Sequence, residues 1–354
     1  MNKDGYRLLV ILLFACGIVS AQKRAIQLEE KPWTEARRLL SDTTIVVIPL
    51  GAQAKEHGPH LQLRNDFLIA EYLKDRIANS QHVVIYPTIN YSYYPAFLEY
   101  AGSTSLQMET AANMIVDICK VISAHGPKKF YVLNTGVSTL VPLKLAQESL
   151  MYQGIRMTYT DILNVAGDAE KKIKQQPTGT HADEIETSMM LCIAPQTVDM
   201  SKAARDIPPV DGPGPLTLDP GNPNGRYSAT GIYGDATLAT QEKGKVVIEA
   251  MVAGINEEIS DLRSSPPLTK PAINLAGLQG FYQLDKETVT ISVEKERLMM
   301  EGKGPRKVEL TPNGKLSFTA GTRGRVVFFP NVKGGCSIYL NWEGKDFLGQ
   351  RKSN

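Results

Sequence analysis

Side chains able to bind a metal or move a proton are concentrated in one stretch, GAQAKEHGPHLQLRND, which runs from Gly51 to Asp66. Its candidates are Lys55, Glu56, His57, His60 and Asp66. An imidazole and a carboxylate joined by a loop, such as His57 and Asp66, can fold back onto one ion, and these donors suit Zn, Mn or Fe. The alternative for His57 and His60 is a hydrogen-bonding role that stabilises the loop. We expect the stretch to supply part of a metal site in a hydrolase.

A second candidate group is THADEIETS, which runs from Thr180 to Ser188. On a helix, Glu186 has apolar neighbours on almost every side, so its carboxylate should be buried. A buried carboxylate requires a metal, a cation or hydrogen-bond donors. Metal ligation and a buried ion pair with Arg or Lys are equally consistent with this stretch alone. Two other histidines, His82 and His125, stand at the ends of predicted elements, and we interpret them as structural.

The elements around the first stretch place it at the edge of a sheet. The preceding run, Thr44–Leu50, is short, β-branched and continuously apolar, which is typical of a strand buried on both faces. The residues that follow, Phe67–Ile77, repeat apolar side chains at helical spacing, with Asn65 or Asp66 as the N-cap. Open α/β sheets bind ligands beyond the carboxyl ends of their strands. The stretch therefore has the position expected of a functional loop.

Helices and strands alternate through the chain up to Ser264. The predicted helices are Trp33–Leu40, Glu109–Ala124, Leu140–Gln153, His181–Ala194 and Gly244–Leu262, and the further strands are His82–Tyr86, Phe130–Leu133 and Met157–Tyr159. This alternation predicts parallel β-α-β units in a layered α/β domain over residues 22–264. The segment Pro195–Gly234 is rich in Pro and Gly, which indicates a functional loop or an oligomer contact.

The pattern changes after a linker at residues 265–271. Short stretches of alternating apolar and polar residues follow: Thr288–Val293, Arg297–Met300, Lys307–Leu310, Lys315–Thr319, Arg325–Phe329 and Ser337–Trp342. Turn residues such as Pro312-Asn313-Gly314 separate them. The sequence therefore predicts a small antiparallel β domain, a sandwich or a barrel, over residues 272–354.

The N-terminus and the composition restrict the setting of the protein. Basic residues precede the apolar run Leu8–Ala15, and small residues end at Ala21, so we predict an export signal over residues 1–21 and a periplasmic or extracellular protein. Lipidation at Cys16 is the alternative. The apolar run is too short for a membrane span. A net charge of +2 without a basic stripe gives no indication of nucleic-acid binding. The remaining cysteines, Cys119, Cys192 and Cys336, are expected in the core rather than in disulfides.

Four motifs together resemble the creatininase (creatinine amidohydrolase) family. Residues 51–66 resemble its EQHGPHLPL segment, THADEIETS resembles HAGExETS, YAGSTSL at 100–106 resembles FPGTxSL, and GIYGDATLATQEKG at 231–244 resembles GVxGDPxxAT. The match runs in the right order from Val46 to Leu262. The resemblance implies a three-layer α/β fold with a mostly parallel sheet, a homo-oligomer, and a metal-dependent hydrolase of C–N bonds in cyclic or formyl amides of small molecules.

The resemblance also assigns roles to individual residues. His57, Asp66 and Glu186 match one complete metal site, in which Asp66 is the residue that normally bridges two ions. His181 matches a histidine proposed as the proton carrier. Glu184 matches a family glutamate that could order His181, and a role at the helix end is the alternative. The aromatic segment Tyr91–Tyr100 is expected to wall the pocket.

Three departures fall on one side of the expected two-metal centre. Lys55 stands where the family has a metal-binding glutamate, Gly136 where it has a histidine ligand, and Ser138 where it has an acidic residue. Shifting the register to use Glu56 does not restore the missing histidine. We therefore expect one divalent ion, with Lys55 polarising a carbonyl or holding an anionic group. The alternatives are a non-catalytic exported binding protein with the same fold, and a lyase or deformylase.

Overall fold

The chain folds into an α/β domain followed by a β-barrel. This computed structural model describes residues 25–151, 153–207, 215–268, 275–304, 306–312, 316–330 and 335–352. The predicted export signal and the end of the predicted linker lie outside these residues. Within them, no helix combines the length and the apolar character needed to cross a membrane.

The elements of the α/β domain follow the predicted alternation. They are β1 (Ile26–Gln27), α1 (Trp33–Leu39), β2 (Ile45–Leu50), α2 (Asn65–Ser80), β3 (Val84–Ile85), α3 (Met108–Ser123), β4 (Lys129–Asn134), α4 (Leu140–Met151), β5 (Arg156–Tyr159), α5 (Gly167–Ile173), α6 (Glu184–Ile193), β6 (Arg205–Asp206), β7 (Leu216–Thr217), β8 (Arg226–Tyr227), β9 (Gly234–Asp235) and α7 (Gln241–Ser264). The very short β1 and the seven-residue α5 are absent from the prediction.

A parallel sheet with the order β1-β3-β2-β4-β5 forms the middle layer. Alternate residues of β2 enter different cores: Ile45 and Val47 pack with helices α2, α6 and α7, whereas Val46 and Ile48 pack with α3 and α4. Because both faces of the sheet are covered, the central strand β2 is apolar and buried throughout. The predicted three-layer α/β architecture is confirmed.

The two central strands bring the chemical residues together. Leu50 at the end of β2 pairs with Asn134 at the end of β4, so the loops that follow these strands meet at one edge. Gly51 permits a close approach there, because a Cβ on it would lie 2.4 Å from the carbonyl oxygen of Asp66. The start of α2 is thereby packed directly against the end of β2.

The C-terminal domain is a closed antiparallel barrel. Its strands are β10 (Gly280–Gln283), β11 (Thr288–Glu294), β12 (Arg297–Glu301), β13 (Val308–Pro312), β14 (Ser317–Ala320), β15 (Gly324–Pro330), β16 (Cys336–Trp342) and β17 (Lys345–Arg351). The prediction of six strands missed β10 and β17, whose pairing at Tyr282 with Arg351 closes the barrel. Of the two predicted architectures, sandwich and barrel, the domain is therefore a barrel. Cys119, Cys192 and Cys336 are free; Cys119 and Cys336 are buried in the core as expected, whereas Cys192 is partly exposed.

The barrel packs against the helices on the face of the sheet opposite α2, α6 and α7. Met108 and Ala112 of α3 and Leu145 of α4 form one apolar cluster with Phe329 and Tyr339 of the barrel. At its rim, Arg325 pairs with Glu109 at 2.7 Å. These contacts unite the two domains through a small apolar core with an ionic border.

Glu148 of α4 is a buried acid at this contact. Ser337 of the barrel donates a hydrogen bond to its Oε1 at 3.4 Å, and Oε2 has no partner among the described residues. Burial raises the pKa of Glu148 to about 7, against the smaller opposing effects of Lys144 and Ser337. The carboxyl is therefore largely protonated in the folded protein at mildly acidic pH.

We predict that Glu148→Gln stabilises the protein at pH 8 but not at pH 4.5. A carboxyl whose folded pKa lies above its unfolded value of 4.5 loses folding free energy as the pH rises from 4.5 to about 7, and Gln avoids this loss. The expected gain at pH 8 is at most about 3 kcal/mol. Urea unfolding at both pH values measures it, with the exposed Glu257→Gln as the control. An equal effect of Glu148→Gln at both pH values would contradict the assignment.

Candidate metal centre

The site lies beyond the ends of β2 and β4 and is completed by α6. The loop after β2 carries Lys55 and His57, and Asp66 follows in the first turn of α2, where a carboxylate is favoured by the helix dipole. The predicted N-cap at Asn65 or Asp66 is one or two residues late, because Arg64 occupies that position. Lys55, His57 and Asp66 are therefore brought to one edge of the sheet.

The start of α6 differs from the prediction. The helix begins at Glu184 rather than at His181, and Asp183 is its N-cap, accepting hydrogen bonds from the backbone of Ile185 and Glu186. His181 instead forms an antiparallel bridge with Tyr233. Ala182, between His181 and Asp183, has a positive φ of 49°, a conformation that few non-glycine residues adopt. The imidazole is thus presented by an extended segment rather than by a helix face.

Three side chains from these segments converge. One ligand atom each from His57, His181 and Glu186 lies within 4.8 Å of the others. His57 Nε2 is 3.4 Å from Glu186 Oε1, and His181 Nδ1 is 3.8 Å from Glu186 Oε2. The Glu186 carboxylate also accepts hydrogen bonds from Asn65 Nδ2 at 2.9 Å and from the Ala182 N–H at 2.6 Å. Sequence analysis assigned all three to the site, His57 and Glu186 as ligands and His181 as the proton carrier.

Both ring nitrogens of His57 face hydrogen-bond acceptors. His57 Nδ1 is 2.8 Å from the carbonyl oxygen of Lys55, so this nitrogen carries the proton. In the neutral ring the Nε2 lone pair then points at Asp66 Oδ1, 2.9 Å away, and at Glu186 Oε1. Three acceptors in contact repel one another unless a cation lies between them. A proton on the ring or a divalent ion satisfies this arrangement.

The spacing of the donors fits an ion. With Zn–N and Zn–O bonds of about 2.0–2.1 Å, neighbouring ligands of a tetrahedral site lie roughly 3.3 Å apart. His57 Nε2 lies 2.9 Å from Asp66 Oδ1 and 3.4 Å from Glu186 Oε1. The second His57 nitrogen bonds to a carbonyl, as in most metal-ligating histidines. The residues present therefore fit a bound divalent cation.

Lys55 forms a buried ion pair with Asp66. Its Nζ lies 2.7 Å from Asp66 Oδ2, with both side chains almost completely buried. Burial alone would raise the pKa of Asp66, but the adjacent Lys55 ammonium and His57 ring outweigh it and hold this pKa well below its usual range. The ammonium also lies 5.0 Å from the centroid of the Phe97 ring and 5.7 Å from that of Tyr94. The Asp66 carboxylate is thus an anion that contacts Lys55 through Oδ2 and His57 through Oδ1.

Gly136 and Ser138, the other two positions that depart from the family pattern, lie in the loop after β4. Asn134 closes this loop through its side chain, which donates to the carbonyl of Gly136 and accepts from Thr139 Oγ1. A Cβ on Gly136 would lie 2.8 Å from Thr139 Oγ1, so the loop leaves little room for a side chain there. Ser138 lines the cavity but offers no carboxylate. The residues on this side supply no acidic or imidazole donor.

The structure gives the remaining candidates separate partners. Glu184 is completely buried and accepts hydrogen bonds from Lys243 Nζ and from the backbone N–H groups of Gln175 and Gln176, which fits a role at the helix end rather than the ordering of His181. His60 Nε2 pairs with Thr187 Oγ1 at 2.8 Å, and burial lowers its pKa to about 4. His82 and His125 are exposed.

Glu56 was a candidate from the sequence, but its contact with His181 was not predicted. Its Oε2 lies 3.0 Å from His181 Nε2, and its side chain is buried. The contact joins residues 125 positions apart, so no local spacing could have shown it. The only signal was the acidic residue itself beside a lysine in a stretch of ligands.

A cavity of about 220 Å³ opens beside these residues. Lys55, His181 and Glu186 line it together with Tyr94 and Phe97 from the predicted aromatic segment. Its lining also includes Leu216, Arg226 and Tyr233 from the Pro- and Gly-rich segment, of which the structure describes all but residues 208–214. That segment therefore contributes to the candidate site.

A parallel sheet whose strands end at an imidazole and carboxylate cluster defines a layered α/β domain with a candidate metal site. Comparison with known proteins agrees with this class. The family model for creatininase, described as creatinine amidohydrolase, matches residues 29–259. This chain belongs to the creatininase family. The barrel lies beyond the matched residues.

Individual relatives are hydrolases. The chain is 25% identical over 257 residues to the creatinine amidohydrolase of Pseudomonas putida, covering 67% of this chain and 97% of that protein. It is 25% identical over 247 residues to the mycofactocin precursor peptide peptidase of Mycobacterium ulcerans, covering 66% and 91%. A solved structure of a manganese creatininase superposes with a TM-score of 0.58 at 23% identity, covering 68% of this chain and 100% of that one.

We predict that Lys55→Met destabilises the metal-free protein by about 3 kcal/mol, because it leaves the Asp66 carboxylate buried beside an acceptor and without its cation. The double variant Lys55→Met/Asp66→Asn should recover most of this loss. Urea unfolding in the presence of a chelator completes the cycle.

Lys74→Met is the matched control, since Lys74 on α2 pairs with the partly exposed Glu71 and should contribute less than about 1 kcal/mol. If the losses of unfolding free energy in Lys55→Met and Asp66→Asn add up to the loss in the double variant, their ion pair does not stabilise the fold.

Proposed function

We propose that this protein is a metal-dependent amidohydrolase that cleaves a C–N bond of a small molecule with a single divalent ion, Zn, Mn or Fe. The observation that carries the proposal is the Nε2 lone pair of His57, which faces carboxylate oxygens of Asp66 and Glu186. Membership of a family of hydrolases supports the reaction class. A cavity of about 220 Å³ is below the usual size of drug-binding pockets and favours a small substrate.

His57, Asp66 and Glu186 would hold the ion. The chemistry that such an ion supplies is Lewis acidity toward water and toward the substrate carbonyl. The Lys55 ammonium lies on the other side of Asp66, where it can stabilise negative charge as it develops on the carbonyl oxygen. The rings of Tyr94 and Phe97 exclude water from that side of the ammonium.

His181 would move the proton. Its Nδ1 faces the Glu186 carboxylate at 3.8 Å, and the residue lines the cavity. From that position the nitrogen can accept a proton from water and deliver it to the departing nitrogen of the substrate. Phe97 stacks on the ring with centroids 4.2 Å apart and restricts its movement.

The residues around Lys55 support a single ion. The ammonium contacts the Asp66 oxygen that does not face His57, so a second cation would meet a like charge there. Gly136 and Ser138 contribute no anionic donor on that side. We also propose that the protein is exported through the signal at residues 1–21 and functions as a homo-oligomer.

A binding protein without catalysis is the second candidate. It is favoured by one observation, the Lys55–Asp66 pair, which neutralises the Asp66 carboxylate without any metal. A creatininase fold that uses this pair to hold a ligand would not need His57 and Glu186 to bind an ion. Metal content therefore separates the two candidates.

We predict about one divalent ion per chain in purified protein, and less than about one tenth of that in His57→Ala, because loss of one of three ligands removes most of the affinity. Plasma emission spectrometry after dialysis measures both. His125→Ala, at an exposed histidine, is the control and should keep the ion.

Two ions per chain would refute the single-metal proposal but leave the hydrolase class intact. A metal-free protein whose thermal unfolding is unchanged by His57→Ala and by added Zn²⁺ would favour the binding protein instead.

A further inference from the structure

Glu56 is a buried carboxylate for which neither the fold nor the proposed ligand set accounts. It stands where the family pattern has glutamine, next to the lysine that replaces the family's metal-binding glutamate. The side chain contacts His181, with Oε2 3.0 Å from His181 Nε2. We propose that Glu56 is a positioning residue that fixes the proton of His181 on Nε2, so that the Nδ1 lone pair faces the metal centre.

The hydrogen bond itself determines the tautomer. An ionised carboxylate only accepts hydrogen bonds, so the nitrogen that contacts Glu56 must carry the proton. In the neutral ring, Nδ1 is then the unprotonated nitrogen, and it faces Glu186 Oε2. Without Glu56, the ring could place its proton on either nitrogen.

Glu56 is held in a slot made by three separate segments. The Gly58 N–H donates to Oε1, which leaves Oε2 for His181. The Glu56 N–H donates to Ser103 Oγ at 2.9 Å. Gly231, with φ of 79°, closes the slot, because a Cβ on it would lie 2.2 Å from Glu56 Oε1. The carboxylate is therefore held in one orientation.

His181 is also restricted, but not in its choice of tautomer. Its backbone is bridged to Tyr233, and its ring lies against Phe97. These contacts fix where the ring lies and leave open which nitrogen carries the proton. Of the charged and titratable groups that contact the ring, Glu56 and Glu186 face its nitrogens, and His57 lies 5.2 Å away between centroids.

One dipeptide therefore orients both imidazoles. The carbonyl of Lys55 takes the Nδ1–H of His57, and the side chain of Glu56 takes the Nε2–H of His181. The two rings have opposite tautomers, and both lone pairs face Glu186. The contact between Glu56 and His181, and the tautomer that it implies, depend on the geometry alone. The inference rests on the proposed function only for the use of the His181 Nδ1 lone pair, which is to accept a proton.

The substitution Glu56→Gln gives the sharpest test. Because Oε1 accepts from the Gly58 N–H, the amide oxygen of Gln should take that position and its NH₂ should face His181. We expect Glu56→Gln to invert the tautomer of His181, with the proton on Nδ1, and Glu56→Ala to leave a mixture. Nitrogen-15 NMR of the imidazoles, recorded on the metal-free full chain at a pH where the rings are neutral, measures the protonated nitrogen directly.

Each measurement has an internal and a matched control. His60, which pairs with Thr187, should keep its spectrum in every variant. Glu99→Gln makes the same change on a neighbouring segment, where the carboxylate binds Thr217 instead of a histidine, and should leave His181 unchanged. Protonation of wild-type His181 at Nδ1, or the same tautomer in wild type and Glu56→Gln, would overturn the proposal. The wild-type spectrum alone can do so if a variant fails to fold.

Addition of Zn²⁺ separates this inference from the proposed function. If both are right, Zn²⁺ shifts the Nε2 resonance of wild-type His57, while Nε2 of His181 stays protonated. If Zn²⁺ changes nothing but the two tautomers are as stated, the metal-dependent function fails and the role of Glu56 stands. If Zn²⁺ binds and Glu56→Gln leaves His181 unchanged, the function stands and the role of Glu56 is wrong.

Discussion

The ion pair between Lys55 and Asp66 sets the electrostatics of the whole site. Both groups are buried, so each needs the other or an equivalent charge. The pair holds Asp66 ionised and directs its second oxygen to His57, whose proton is already committed to the Lys55 carbonyl. A position that attracts a cation therefore arises between His57 and Glu186. Lys55 thus neutralises one oxygen of Asp66 and leaves the other oxygen directed at the position that attracts a cation.

The same logic extends to the loop after β4. In a two-ion centre this loop would have to supply donors, whereas here Asn134 satisfies its backbone and Gly136 packs against Thr139. The departures at Gly136 and Ser138 thus lie in one closed loop, and Ser138 lines the same cavity as Lys55.

Much of the fold was predictable because long amphipathic helices and continuous apolar strands have clear periodicities, as for β2, α2, α3 and α7. The short β1, and the strands β10 and β17 that close the barrel, depend on partners distant in sequence. The start of α6 was misplaced because Thr180 and His181 bond to Tyr233 instead of continuing the helix. For the site, motif resemblance indicated the convergence of His57, His181 and Glu186, while the contact of Glu56 depends on tertiary structure alone.

The docked barrel has a consequence for assembly. It covers part of α3 and α4 through Phe329 and Tyr339, and it is tethered to the same chain. A tethered domain meets its docking face at an effective concentration far above that of any separate subunit. In the homo-oligomer proposed above, self-association through that face would have to displace the barrel, so copies of this chain would meet through other surfaces.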